Sequence, residues 1–71
     1  MLVLSGFEKA LLGFAQRVGE KKVAVYDFEA MVDVLISRDG MTREEAEEFV
    51  EYNCENIWIG VRTPMIVRRE F

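Results

Sequence analysis

The chain contains no histidine, and only one cysteine, one proline and one tryptophan among 71 residues. Each scarcity removes a class of chemistry. Without histidine there is no side chain poised near neutral pH to act as a general base, and the commonest zinc ligand is missing. A Ser-His-Asp or Cys-His arrangement cannot be assembled, and neither can an HExxH zinc site. The lone Cys54 cannot close an intramolecular disulfide, so nothing ties the sequence to an oxidising compartment. Long apolar runs are absent at the start of the chain. Met1–Leu4 gives way to Ser5-Gly6, too short for a signal-peptide core or a bilayer span. The expectation is a cytoplasmic protein with no cofactor, no metal and no membrane association.

What is present points to a folded unit. Hydrophobic residues make up 51% of the chain, enough to offset the entropy of ordering. The length suits one small domain, residues 1–71, with no room for a deep cleft around a large substrate. A domain of this size without a disulfide or metal depends on its core or on a partner subunit. The net charge is −4, against non-specific attraction to nucleic acid or anionic lipid.

Between Phe7 and Val18 the sequence fits two patterns. Phe7, Leu11, Phe14, Ala15 and Val18 match a helical stripe, whereas Leu12, Phe14 and Val18 alternate as in a strand. Gly13 weakens the helix, and Gly19-Glu20-Lys21 leads into the β-rich run Lys22–Tyr26, which favours a hairpin. Asp27 reads as the N-cap of a helix carrying Phe28, Met31, Val32 and Leu35 on one face and ending at Gly40. Thr42 and Glu45 form a capping box for a second helix, with Met41 and Ala46 as its hydrophobic staple. Its apolar stripe, Ala46, Phe49, Val50, Cys54 and Ile57, extends the predicted helix to residue 57. After Pro64, which can begin a strand but not sit within a central one, Met65–Arg69 is a third candidate strand. The expected fold is α+β in the order β-β-α-α-β. A small antiparallel sheet of about three strands packs on two antiparallel helices. The expected core is Leu12, Phe14, Val23, Val25, Phe28, Met31, Leu35, Ala46, Phe49, Val50 and Ile66.

A set of short motifs is spread along the chain: Gly6-Phe7 before an acidic residue, Val23-Ala-Val-Tyr-Asp27, Ser37-Arg-Asp-Gly-Met-Thr42, Glu44-Glu-Ala46, Asn53, Ile57-Trp58, Gly60 and Thr63-Pro64. This pattern, from residue 6 to about residue 67, resembles a widespread group of small proteins encoded in tailed-bacteriophage and prophage genomes. The resemblance implies a phage accessory protein acting in the bacterial cytoplasm and implies no reaction, the group having no assigned activity. Two departures stand out. Arg62 occupies a position where an acidic residue is expected, and the Arg68-Arg69-Glu70 tail is unusually charged.

Charge is unevenly distributed. Residues 42–57 hold six glutamates and one arginine, a net of −5, which leaves +1 for the remainder. Glu44, Glu48 and Glu51 could present a face to a basic groove, or form the solvated side of an amphipathic helix. Pairs such as Glu44–Glu48, Glu47–Glu51 and Glu51–Glu55 share a helix face. An exposed row with no Lys or His beside it offers no dry cavity for metal-assisted catalysis, so no enzyme activity is expected.

Trp58 with Arg62 is the other candidate binding surface, both being residue types enriched at interface hot spots. A sole tryptophan also serves a small core well, but if Ile57, Ile59 and Val61 point inward then Trp58 points away from them. Asn53 is expected to bond local carbonyls or mark a subunit seam, and Cys54 to act as a small hydrophobe. Lys22 and Arg68 would meet in a modest basic patch if the third strand lies beside the hairpin, though without interleaved aromatics for stacking bases. The functional expectation is a non-enzymatic accessory protein that docks on a host or phage protein and modulates or inhibits it. A small nucleic-acid-binding regulator and a self-associating virion or assembly component are the alternatives.

Overall fold

A computed structural model describes residues 2–55, 60 and 62–69. Its elements follow the expected order. A 3-10 turn over Glu8–Ala10 leads into β1 (Leu11–Ala15), then β2 (Val23–Asp27), α1 (Phe28–Asp39), α2 (Arg43–Val50), a π-helical turn over Glu51–Glu55 and β3 (Met65–Val67). The fold is α+β, with a three-stranded sheet in the order β1-β2-β3.

The local signals act as their chemistry requires. The Asp27 side chain accepts a hydrogen bond from the Ala30 amide, and Gly40 closes α1 in the left-handed conformation at φ 68°. The capping box of α2 is complete: Glu45 N–H donates to Thr42 Oγ1 at 3.2 Å, and Thr42 N–H donates to Glu45 Oε1 at 2.9 Å. The short connection from Gly40 to Thr42 folds α2 back against α1. Beyond Val50 the backbone widens into the π turn over Glu51–Glu55, where a continuous α-helix is predicted; the end of that predicted helix, residues 56 and 57, lies outside the described residues.

The sheet departs from expectation in direction. β1 and β2 form the antiparallel hairpin, but β3 runs parallel to β2, with Val25, Tyr26 and Asp27 opposite Met65, Ile66 and Val67. The sheet is therefore mixed, not antiparallel. Parallel neighbours need a long crossover, which the two helices and the segment after them supply. The direction is reinforced by Arg68 and Arg69, which anchor the end of β3 beside Asp27 and Phe28, at the C-terminal end of β2.

The core also differs from the expected one. It comprises Phe7, Ala10, Ala24, Tyr26, Phe28, Met31, Val32, Leu35, Ala46 and Val50, with Ile66 and Cys54 packed against it. The helix positions are as expected, apart from Phe49, which is 37% exposed. The strand positions are out of phase: Ala24 and Tyr26 point into the core, while Val23 and Val25 are only half-buried. Because Lys22–Tyr26 is apolar at four successive positions, alternation alone does not select a face. Small Ala24 and large Tyr26 suit the space beneath α1, and the Tyr26 hydroxyl accepts from the Leu4 amide at 2.8 Å. Leu12 is 55% exposed at a bulge between Leu11 and Gly13. Phe14 shares a face with Ala24 yet is 57% exposed. α1 packs over β2, with the 3-10 turn and α2 against α1, which leaves this end of β1 uncovered, and the Lys22 ammonium lies 4.6 Å from the Phe14 ring centre.

This distribution predicts which truncations matter. Leu35→Ala should lower stability by about 3 kcal/mol, because it opens a cavity among fully buried side chains. Leu12→Ala should change it by no more than about 0.5 kcal/mol, since that side chain is mostly in water already. Urea unfolding midpoints followed by circular dichroism measure both.

Candidate protein-docking surface

The charged side chains divide into those that hold the fold and those turned outward. Asp27 is the central member of the first set. Its residue is 3% exposed, and its carboxylate accepts from the Ala30 amide at 3.2 Å and from Arg69 Nε and Nη2 at 3.2 and 3.0 Å. A buried carboxylate is costly unless its lone pairs are filled, and here a helix cap and a bidentate guanidinium fill them.

Arg68, one residue earlier, lies 3.8 Å from the centre of the Phe28 ring. It donates to both oxygens of Glu55 at 2.9 and 3.0 Å and approaches Glu51 at 3.3 Å. The Arg68 bond holds the Glu55 carboxyl below its usual range. Near the start of α2, Arg43 pairs with Glu29 and, at 3.4 Å, with Glu47. Arg38 binds Asp39, stacks 5.5 Å from the Phe7 ring and donates to the Gly6 carbonyl at 2.9 Å. Gly6 has φ 89°, and a Cβ there would come within 2.6 Å of the Arg38 guanidinium, so glycine suits this close approach.

The parallel direction of β3 overturns the expected meeting of Lys22 and Arg68. Lys22 precedes the start of β2, whereas Arg68 lies beyond the level of its end, so the two occupy opposite ends of the sheet. Arg68 and Arg69 are engaged with Glu55, Glu51 and Asp27.

Of the three glutamates singled out on the second predicted helix, Glu51 lies in the π turn and is engaged by Arg68. Glu44 and Glu48 are exposed, one turn apart, and neither forms an ion pair among the described residues. Beside Glu48 the structure brings out two aromatics, Phe49 and Tyr52, the latter 72% exposed. With Met41, Glu45 and Asn53 they line a shallow hollow of about 300 Å³. Phe49 is here a surface residue instead of a core one. Tyr52 escapes a sequence reading focused on charge, although its position three residues after Phe49 places the two rings on neighbouring parts of one helical surface.

Asn53 donates from Nδ2 to the Phe49 carbonyl at 3.1 Å, the local bond expected of it. Burial pushes the Cys54 thiol up, away from the thiolate needed of a nucleophile. Arg62 is exposed at the opposite end of the sheet from Arg68 and does not join the α2 surface. The prediction for Trp58 falls outside the described residues. Among the described residues no cluster of Cys, Asp and Glu is arranged to hold a metal ion, and no helix is long and apolar enough to cross a membrane. Comparison with protein-family models, curated proteins and solved structures finds no match to this chain.

The Glu55–Arg68 pair makes stability depend on acid. Its carboxyl has a lower pKa folded than unfolded, so its contribution is complete above the ordinary value of 4.5 and is lost as pH falls through the folded value. Urea midpoints measured from pH 6 down to about pH 3 should fall below about pH 4.5, and less steeply in Glu55→Gln, which has no carboxyl to protonate.

Proposed function

We propose that this protein is a non-catalytic docking module that binds the basic surface of a protein partner through the outer face of α2. The observation that carries this reading is the juxtaposition, along α2 and the π turn that continues it, of two exposed aromatics, Phe49 and Tyr52, with Glu44 and Glu48, carboxylates that form no ion pair among the described residues. Aromatic anchors supply most of the energy at protein interfaces, and complementary charge around them speeds encounter and selects the partner. The resemblance to phage-encoded proteins supports a partner of host or phage origin, met in the bacterial cytoplasm and modulated or inhibited by being covered. The missing histidine and the high thiol pKa of Cys54 support binding over catalysis.

Affinity capture from bacterial lysate under mild salt tests the proposal. The wild-type chain should retain a basic protein in stoichiometric amount and release it at about 0.5 M salt, where exposed charges are screened. Glu44→Lys with Glu48→Lys should abolish capture. Tyr52→Ala should weaken it at least tenfold, the loss of about 1.4 kcal/mol or more expected for an interface anchor. Equal capture by the charge-reversed chain, or no stoichiometric partner with the wild type, would refute the reading.

A further inference from the structure

We propose that the hairpin end of the sheet is a binding site for a phosphate-bearing ligand of nucleotide type. The partition of the nine basic side chains motivates it. Arg38, Arg43, Arg68 and Arg69 each close on a carboxylate of this chain. Arg17, Lys21, Lys22 and Arg62 form no ion pair among the described residues, and all four line two adjoining hollows. The hollows measure about 440 and 420 Å³, within the range of small-molecule sites. Among the described residues Glu20 is the one carboxylate that lines them, so the described lining sums to +3 on a chain whose total is −4.

The parallel pairing of β3 creates this cluster. It places the segment before Met65, with Arg62 and Thr63, beside the turn that joins β1 to β2. The turn itself is held in place: Glu20 N–H donates to the Arg17 carbonyl at 2.9 Å, and Gln16 Nε2 donates to the Glu20 carbonyl at 3.0 Å. Lys22 is steadied over the Phe14 ring. Lys21, Lys22 and Arg62 around the first hollow, with Arg17 and Lys21 around the second, offer guanidinium forks and ammonium groups that match the several oxygens of a phosphate chain.

The second hollow adds an apolar wall of Ala15, Val23 and Met65 against which a flat base could rest. Phosphate next to an apolar plane is the chemistry of a nucleotide, whether free or as a unit of a nucleic-acid strand. The site lies apart from the α2 surface and does not depend on the docking reading.

Fluorescence anisotropy with a fluorescein-labelled single-stranded 12-mer, and calorimetric titration with ATP and with inorganic tripolyphosphate, test the proposal at about 50 mM salt. At least one nucleotide probe should bind. Arg17→Ala with Lys21→Ala should weaken it tenfold or more and flatten its salt dependence by up to about two phosphate contacts. Arg62→Glu should do the same. Lys9→Ala, which removes an exposed cation outside both hollows, should leave binding unchanged, and circular dichroism should report the same fold for every variant.

Binding of ATP without the 12-mer assigns the site to free nucleotides, and the converse assigns it to a strand. Three results would overturn the proposal: neither nucleotide probe binding, unchanged binding in the double variant, or equal affinity for a polyaspartate peptide of matched charge.

Discussion

The Asp27 carboxylate stands where three parts of the chain meet. β2 ends on it and α1 begins at the next residue with no intervening loop, so the helix direction is set within one peptide unit. One oxygen caps the helix through the Ala30 amide, and both receive the Arg69 guanidinium that follows β3. Such a group is tolerated in the interior only while its partners remain in place. Hairpin, helix and final strand are thereby fixed to one another through one side chain. Phe28, the next residue, packs its ring into the core and offers it to Arg68, which reaches on to the π turn through Glu55 and Glu51.

This concentration of bonds at one end of the sheet determines what remains elsewhere. The carboxylates and guanidiniums near the helix start neutralise one another, mostly at the surface, so the mean charge of the chain describes neither end of the molecule. On the outer face of α2, Glu44 and Glu48 remain solvated beside Phe49 and Tyr52. At the hairpin end, Arg17, Lys21, Lys22 and Arg62 remain solvated around two hollows. One surface is acidic and aromatic, the other basic and concave, and they suit ligands of opposite charge. The sheet edge at β1 carries Leu11, Leu12 and Phe14 partly in water. The Leu12 bulge and the Lys22 ammonium over Phe14 are both devices that discourage a further strand from adding there.

Much of the fold is legible along the chain, because its signals are local. The Asp27 cap, the Gly40 stop and the Thr42–Glu45 capping box each operate within about one helical turn, and the face Phe28, Met31, Val32 and Leu35 follows from helical spacing. The strand phase is less legible. Val23-Ala-Val-Tyr26 offers apolar residues to both sides, and the decision rests on which pair the tertiary core covers, here Ala24 and Tyr26. Phe7 and Ala10 enter the core through a one-turn 3-10 helix, a feature too short to leave a periodic trace. Phe49 keeps helical spacing with Ala46 and Val50 but stands at the margin of the buried stripe, where periodicity does not say how far the covering layer extends.

The candidate surfaces divide in the same way. That α2 is acidic, that it begins at Thr42 and that histidine chemistry is excluded are properties of composition and of neighbours in sequence, and the sequence alone determined them. The tertiary structure decided which charges are available. Arg68, Arg69 and Glu51 are drawn into ion pairs, whereas Arg62 gathers with Arg17, Lys21 and Lys22, because β3 pairs parallel to β2. Strand direction is a long-range property, set by bonds between residues up to 42 positions apart, and no local propensity encodes it.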